Sequence, residues 1–141
     1  MQSDQHVVVL LDPSSEVGER SLDYALRRLS PAPTAVTLFV ALTGVTAQAL
    51  REYAESEEIG LSIAAQNYLD QLRGRSELIE LPVSLVSSPG IDLAADIAEY
   101  GRERGVDAVV VPAHVARLDP GFIPRIAMLM HIPVTVVPSV P

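Results

Sequence analysis

Three imidazoles, His6, His114 and His131, are the only ones in the chain, and they lie far apart with no carboxylate at metal-ligand spacing beside them. No metal site is expected from them. Asp12, Ser14, Ser15 and His114 can be drawn together as orienter, nucleophile and base. Nucleophilic catalysis, however, needs a hydroxyl presented to its base by a special turn, and G-x-S-x-G is absent. Both serines instead stand where a helix needs N-caps. His114 sits beside Asp119 and could serve as a titrating group, although an imidazole on an exposed loop carries no special role by default. Glu52, Glu55, Glu57 and Glu58 read as a solvated helix face rather than a cation site or a docking site for a basic partner. With no cysteine, disulfides, thiolate metal sites and a thiol nucleophile are excluded together. The residues point to a non-enzymatic chain.

These groups must be positioned by a small scaffold. The 141 residues suit one domain, 1–141, large enough to bury a core unaided. The composition is 48% hydrophobic but only 4% aromatic, which implies an aliphatic core. A net charge of −8, with ten arginines and no lysine, repels polyanions. Six of the ten arginines fall in pairs near predicted helix ends (Arg27 with Arg28, Arg73 with Arg75, Arg102 with Arg104), where exposed carbonyls favour cations, and the arginines do not gather on one stretch, so nucleic acid is not an expected partner. The longest apolar runs are too short to span a bilayer, and MQSDQH lacks the character of a signal peptide. No membrane association is expected, and the chain reads as cytoplasmic.

HVVVLLD, from His6, is a continuous apolar run of the kind covered on both faces of a parallel sheet. Val17, Leu22, Ala25, Leu26 and Leu29 then mark a helix stripe that ends at Ser30-Pro31. TAVTLFVAL gives strand two. From Thr46 to Arg75 the composition is helical but broken at Gly60, which predicts a short helix or lid-like segment before a longer helix starting near Glu57. LIELPVSLVSSPG alternates around Pro82 and reads as a strand near the sheet edge. IDLAADIAEYGRERG gives a helix closing near Gly101 or Gly105, DAVVVP a buried strand, GFIPRIAMLMH a short helix from Gly121 or Phe122, and PVTVVP the last strand. Alternation of this kind predicts a three-layer α/β/α sandwich on a five-stranded parallel sheet. With strand order 3-2-1-4-5, ligands would settle beyond the C-terminal ends of strands one and four, at Leu11–Ser15 and Pro112–Gly121.

VVVLLDPSSEVGERSLDYALRRL, VTLFVAL, VSSPGIDLAADIAEYGRERGVDAVVVP and PRIAMLMHIPVTVVP, in that order, resemble the universal stress protein family along essentially the whole chain; only Thr43 to Glu80 fits by layout alone. The resemblance implies a flavodoxin-like (adenine nucleotide alpha hydrolase-like) sheet, a homodimer paired through the last strand, and either of two kinds of member, one binding ATP and one not. The ATP-binding kind carries G-x-x-G, nine residues, then G-S or G-T after strand four. Here those positions fall on Pro112, Val115 and Pro120-Gly121, with only Ala116 to Asp119 between. Proline removes a donor and fixes φ, Val115 crowds the backbone, and Asp119 adds negative charge. Triphosphate binding in the family's manner is expected to fail. Asp12, Val40 and Val111 match positions around the family's nucleoside, so Asp12 either caps the first helix, the leading reading, or holds a ribose.

The resemblance therefore implies a homodimeric stress-response or regulatory module, joined through Val134, Thr135, Val136 and Val137, with no bound cofactor, catalytic residue or metal, and acting on a protein partner or a small ligand. The exposed apolar edge that these four residues would leave in a monomer argues for the same pairing. The alternative is a member that takes AMP, ATP or a cyclic nucleotide through a rearranged loop. A third reading, weak hydrolase or transferase activity at the strand-four mouth, predicts that Asp12→Ala with His114→Ala abolishes turnover.

Overall fold

A computed structural model describes residues 5–11, 18–29, 32–42, 47–74, 81–88 and 92–137. Five strands, β1 (His6–Leu10), β2 (Ala35–Ala41), β3 (Val83–Ser88), β4 (Ala108–Pro112) and β5 (Val134–Val137), form one sheet of order β3-β2-β1-β4-β5. All of its pairings are parallel. The order matches the sequence expectation, and the reason is visible in burial. Val7, Val8, Val9 and Leu10 of β1 are each 0% exposed, as only a central strand covered on both faces can be. At the edge, β3 leaves Ser84 and Ser87 in solvent, as the proline before it predicts.

Strand alternation sends successive side chains to opposite layers. Val7, Val9, Val36, Leu38 and Val110 pack with Leu22 and Ala25 of α1 (Gly18–Arg27), Leu50 and Ala54 of α2 (Gln48–Ser56), and Ala64 and Leu72 of α3 (Leu61–Arg73). Val8, Leu10, Phe39, Val109 and Val111 pack instead with Ala94 and Ile97 of α4 (Leu93–Arg104), Val115 of α5 (Ala113–Leu118), and Phe122 and Ile126 of α6 (Phe122–Met130). The result is three layers with two separate aliphatic cores. Among the described residues, no helix is long and apolar enough to cross a membrane.

Two expectations change. The segment before the long helix is itself a regular helix, α2, and the long helix starts at Leu61 rather than near Glu57. Glu58 takes a left-handed conformation, φ 56°, and the Ile59 N–H bonds back to the Ala54 carbonyl at 3.0 Å, which closes α2 before Gly60 opens α3. The second change is α5, which occupies a stretch read from sequence as loop. The Ser14 and Ser15 caps, Ser30-Pro31, Arg75 and the start of the predicted third strand lie outside the described residues.

The ends of α4 and α6 use one geometry with two residue types. Gly105 closes α4 at φ 74°, so Gly101 lies within the helix, where it packs against Met130. His131 closes α6 at φ 56°. A Cβ in the left-handed region costs about 1 kcal/mol. Gly105→Ala is therefore expected to lower unfolding free energy by about 1 kcal/mol, and His131→Gly to raise it by about 0.5 to 1 kcal/mol. Urea titration of both variants checks the opposite signs.

Candidate functional site

The C-terminal strand ends form a crest in which the Leu11 N–H donates to the Phe39 carbonyl at 2.9 Å and the Leu42 N–H to the Ser88 carbonyl at 2.8 Å. The crossovers leave this crest in opposite directions between β1 and β4, toward α1 on one face and toward α5 and α6 on the other. That divergence is where an open parallel sheet places a ligand. Asp12, Ser14 and Ser15 lie outside the described residues, so neither the cap nor the ribose reading of Asp12 meets a structural observation.

On the β4 side, Pro112 ends the strand buried, with φ −64° and ψ 142°, and the chain passes directly into α5. Proline has no N–H to contribute there, and the alanines, arginine and leucine of AHVARL are good helix formers, so the shortened loop winds up instead of staying open. Val115 is 1% exposed within the core that includes Val111, Phe122 and Ile126. The Asp119 N–H donates to the Val115 carbonyl at 2.9 Å and the Phe122 N–H to the Asp119 carbonyl at 3.1 Å, which joins α5 to α6 in a tight turn with Pro120 and Gly121 exposed. Gly121 has an ordinary φ of −81°, and a Cβ on it would approach nothing nearer than Asp119 Oδ1 at 4.0 Å. Its glycine character supports no close approach of backbone to a phosphate. The side chain of His114 is outside the described set.

Val40 and Val111 are both 0% exposed but occupy different cores, Val40 with α1–α3 and Val111 with α4–α6. The structure does not bring their side chains together. Of the residues proposed from sequence to line one crevice, Val111, Pro112 and Val115 are buried in the β4 side of the scaffold, and Pro120 and Gly121 are its exposed turn.

One contact at the crest joins residues that sequence reasoning left apart. Asp92 caps α4, its Oδ1 accepting the Ala95 N–H at 3.2 Å. The same carboxylate takes Arg125 of α6 bidentately, Nε to Oδ1 at 3.2 Å and Nη2 to Oδ2 at 2.5 Å. The Arg125 hydrogen bond, then the Ala95 N–H, hold the Asp92 carboxyl below its ordinary 3.8, and Asp92 raises Arg125 in return. A depressed carboxyl stabilises the fold above the unfolded range, and that contribution is lost as pH falls through the folded value. Asp92→Asn keeps a capping side chain but drops the charge. Its melting temperature should lie below that of the wild type at pH 6, and the gap should close on acidification below about pH 4; thermal melts across that range check both statements. Nearby, the Ser88 hydroxyl donates to Asp96 Oδ2 and ties β3 to the first turn of α4. Among the described residues no cluster of His, Asp and Glu could hold a metal ion.

A parallel five-stranded α/β sandwich with a switch point between β1 and β4 is a doubly wound fold, which fixes where a site would sit and not what it does. Comparison with solved structures places the chain more closely. It superposes on a universal stress protein family protein from Arabidopsis thaliana, solved with AMP bound, with a TM-score of 0.65 at 12% identity, covering 95% of this chain and 91% of that one. Hypothetical protein MJ0577 matches with a TM-score of 0.65 at 17% identity, covering 95% of both chains. Hypothetical protein PH0823 matches at 0.61 and 17% identity over 97% of this chain and 98% of its own. The chain has the fold of these proteins. No protein-family profile matches it, and no curated protein sequence does.

Proposed function

We propose that the chain is a universal-stress-type regulatory module, cytoplasmic, non-enzymatic and homodimeric through β5, that does not hold ATP by a glycine loop after β4. The observation carrying this reading is Val115, 1% exposed in the core exactly where α5 replaces the loop that a triphosphate needs. Pro112 has no N–H to give, and the segment has no glycine to let its backbone approach a phosphate closely. Asp119, exposed at the turn, adds a negative charge close by. Signalling by such a module runs through a protein partner or a small ligand rather than through turnover.

A second reading is favoured by the AMP in the Arabidopsis structure. A nucleoside monophosphate, or a cyclic nucleotide, makes less demand on the β4 segment than ATP does, and Asp12 would hold its ribose. Denaturing the purified protein and analysing the released small molecules by absorbance and mass separates the readings. The first expects no stoichiometric adenine nucleotide. Release of one per chain would overturn it, and loss of that nucleotide in Asp12→Ala would establish the second.

A further inference from the structure

A second polar cluster lies at the opposite, N-terminal end of the strands. His6 of β1 and Thr37 of β2 project to the α4 side of the sheet, as their alternation with Val7 and with Val36 and Leu38 requires. His6 Nε2 lies 2.7 Å from Thr37 Oγ1, and Thr37 Oγ1 lies 2.7 Å from the Tyr100 hydroxyl of α4. Thr37 is 0% exposed, whereas His6 and Tyr100 are half-buried and reach the surface. The Tyr100 ring meets His6 and Phe39 edge-on, with centroids 6.1 and 6.3 Å away, and the Arg104 guanidinium stands 5.9 Å from its centre. Asp107 Oδ2 accepts the His6 backbone N–H at 2.9 Å. The charged and titratable groups around the imidazole are thus Asp107 from the segment before β4, and Tyr100 and Arg104 from α4.

A hydroxyl has one hydrogen to give, so a chain that uses the Thr37 hydrogen runs in one of two directions; donation to Thr37 from both neighbours would leave that buried hydrogen without either as acceptor. If Tyr100 donates to Thr37 and Thr37 to a bare Nε2, both hydroxyl hydrogens are used and the Nδ1 hydrogen must find an acceptor outside the chain. If Nε2–H donates to Thr37 and Thr37 to Tyr100, the Tyr100 hydrogen must find an acceptor outside the chain. Both directions satisfy the buried Thr37 hydroxyl and leave one hydrogen to solvent, but the first puts the stronger donor, the phenol, and the stronger acceptor, the bare imidazole nitrogen, at the two ends, so it belongs to neutral His6 with its hydrogen on Nδ1. A protonated imidazole has no bare nitrogen and can only donate, so the buried Thr37 hydrogen loses Nε2 as its acceptor and turns to the Tyr100 oxygen, which gives the second direction.

We infer that His6, Thr37 and Tyr100 form a pH-sensitive hydrogen-bond relay whose direction reverses when His6 takes up a proton, turning the Tyr100 hydroxyl from an inward donor into an outward one. Proton uptake at the β1 edge is thereby transmitted through a buried threonine to the surface of α4, where a positive charge and a free O–H donor become available together. The relay stands apart from the strand-end crest and does not depend on what that crest binds.

Nitrogen-15 NMR of the full chain tests it directly, with His6→Gln to assign the His6 signals. Neutral His6 should carry its hydrogen on Nδ1, and the Tyr100 Cζ resonance should shift with the same midpoint as the His6 titration. In Thr37→Val, nearly isosteric, the His6 titration should persist while the linked Tyr100 shift is lost. A neutral His6 protonated on Nε2, or a Tyr100 Cζ resonance that stays flat through the wild-type His6 titration, would overturn the inference; both readings come from the wild type and need no variant to fold.

Discussion

Phe39→Ala is expected to lower the unfolding free energy by about 3–5 kcal/mol, the largest loss of any single truncation in the described core. Phe39 is the largest fully buried side chain, 1% exposed, on the second strand of the sheet. It packs in the α4–α6 core with Leu10 and Ile97, and its ring meets the edge of Tyr100 at 71°. Such an aromatic pair adds about 0.5–1.5 kcal/mol beyond area burial. The cavity left by alanine cannot collapse easily, because Leu10 is fixed by the central strand and Ile97 by α4. A domain of this size is stable by about 5–15 kcal/mol, so this one change removes a large share. In urea the midpoint should fall by roughly 2 M at an ordinary m-value. Met128→Ala provides the contrast: at 68% exposure it should move stability by no more than about 0.5 kcal/mol. A loss below about 1 kcal/mol for Phe39→Ala would mean that β2 and α4 do not pack as described.

What the sequence revealed follows the range over which each physical signal acts. Central strands announce themselves locally: Val7 to Leu11 and Ala108 to Pro112 are apolar without a break, because both faces of the sheet are covered. Pro82 and the exposed serines mark β3 as an edge by the same local logic. The helix α5 escaped because six residues are too few to show a period, and because a proline at its head looks the same before a loop as before a helix. Val115 was recognised as an obstruction to a ligand, but its place in the core could be seen only once α6 was folded over it. The two polar constellations were out of reach for a different reason. Asp92 and Arg125 are 33 residues apart, His6 and Thr37 are 31, and Thr37 and Tyr100 are 63. No spacing rule spans such gaps; they close through the packing of α4 against α6 and the sheet, and through strand register, which sets Val8 beside Thr37 and so brings His6 within reach of it. The switch point was legible as a place, between the strand ends of β1 and β4, while its Asp12 side belongs to residues outside those described.

Val136→Arg is expected to convert the proposed homodimer into single chains. β5 is hydrogen-bonded to β4 on one side only and ends the sheet, so one row of its backbone donors and acceptors has no partner within the sheet. Its side chains are too apolar to protect that edge: Val134 and Thr135 are half-buried and Val136 is 40% exposed. A second copy pairing antiparallel across a two-fold axis covers both the backbone row and Val136, since an isologous contact sets the same short strand against itself. Arginine at 136 would place like charges from the two copies near each other at the seam, which is unfavourable in cross-strand pairs. Each chain carries a net charge of −8, so the two copies also repel at long range. The wild-type dimer should therefore tighten as salt rises and the screening length falls toward about 8 Å at physiological ionic strength. Sedimentation equilibrium provides the test. The wild type should show twice the chain mass, more tightly associated in 0.5 M than in 0.05 M salt, and Val136→Arg should show the mass of one chain with an unchanged far-ultraviolet circular dichroism spectrum. A wild type that remains at the mass of one chain at high concentration would remove the dimer from the proposal. A dimer indifferent to Val136→Arg would move the interface away from β5.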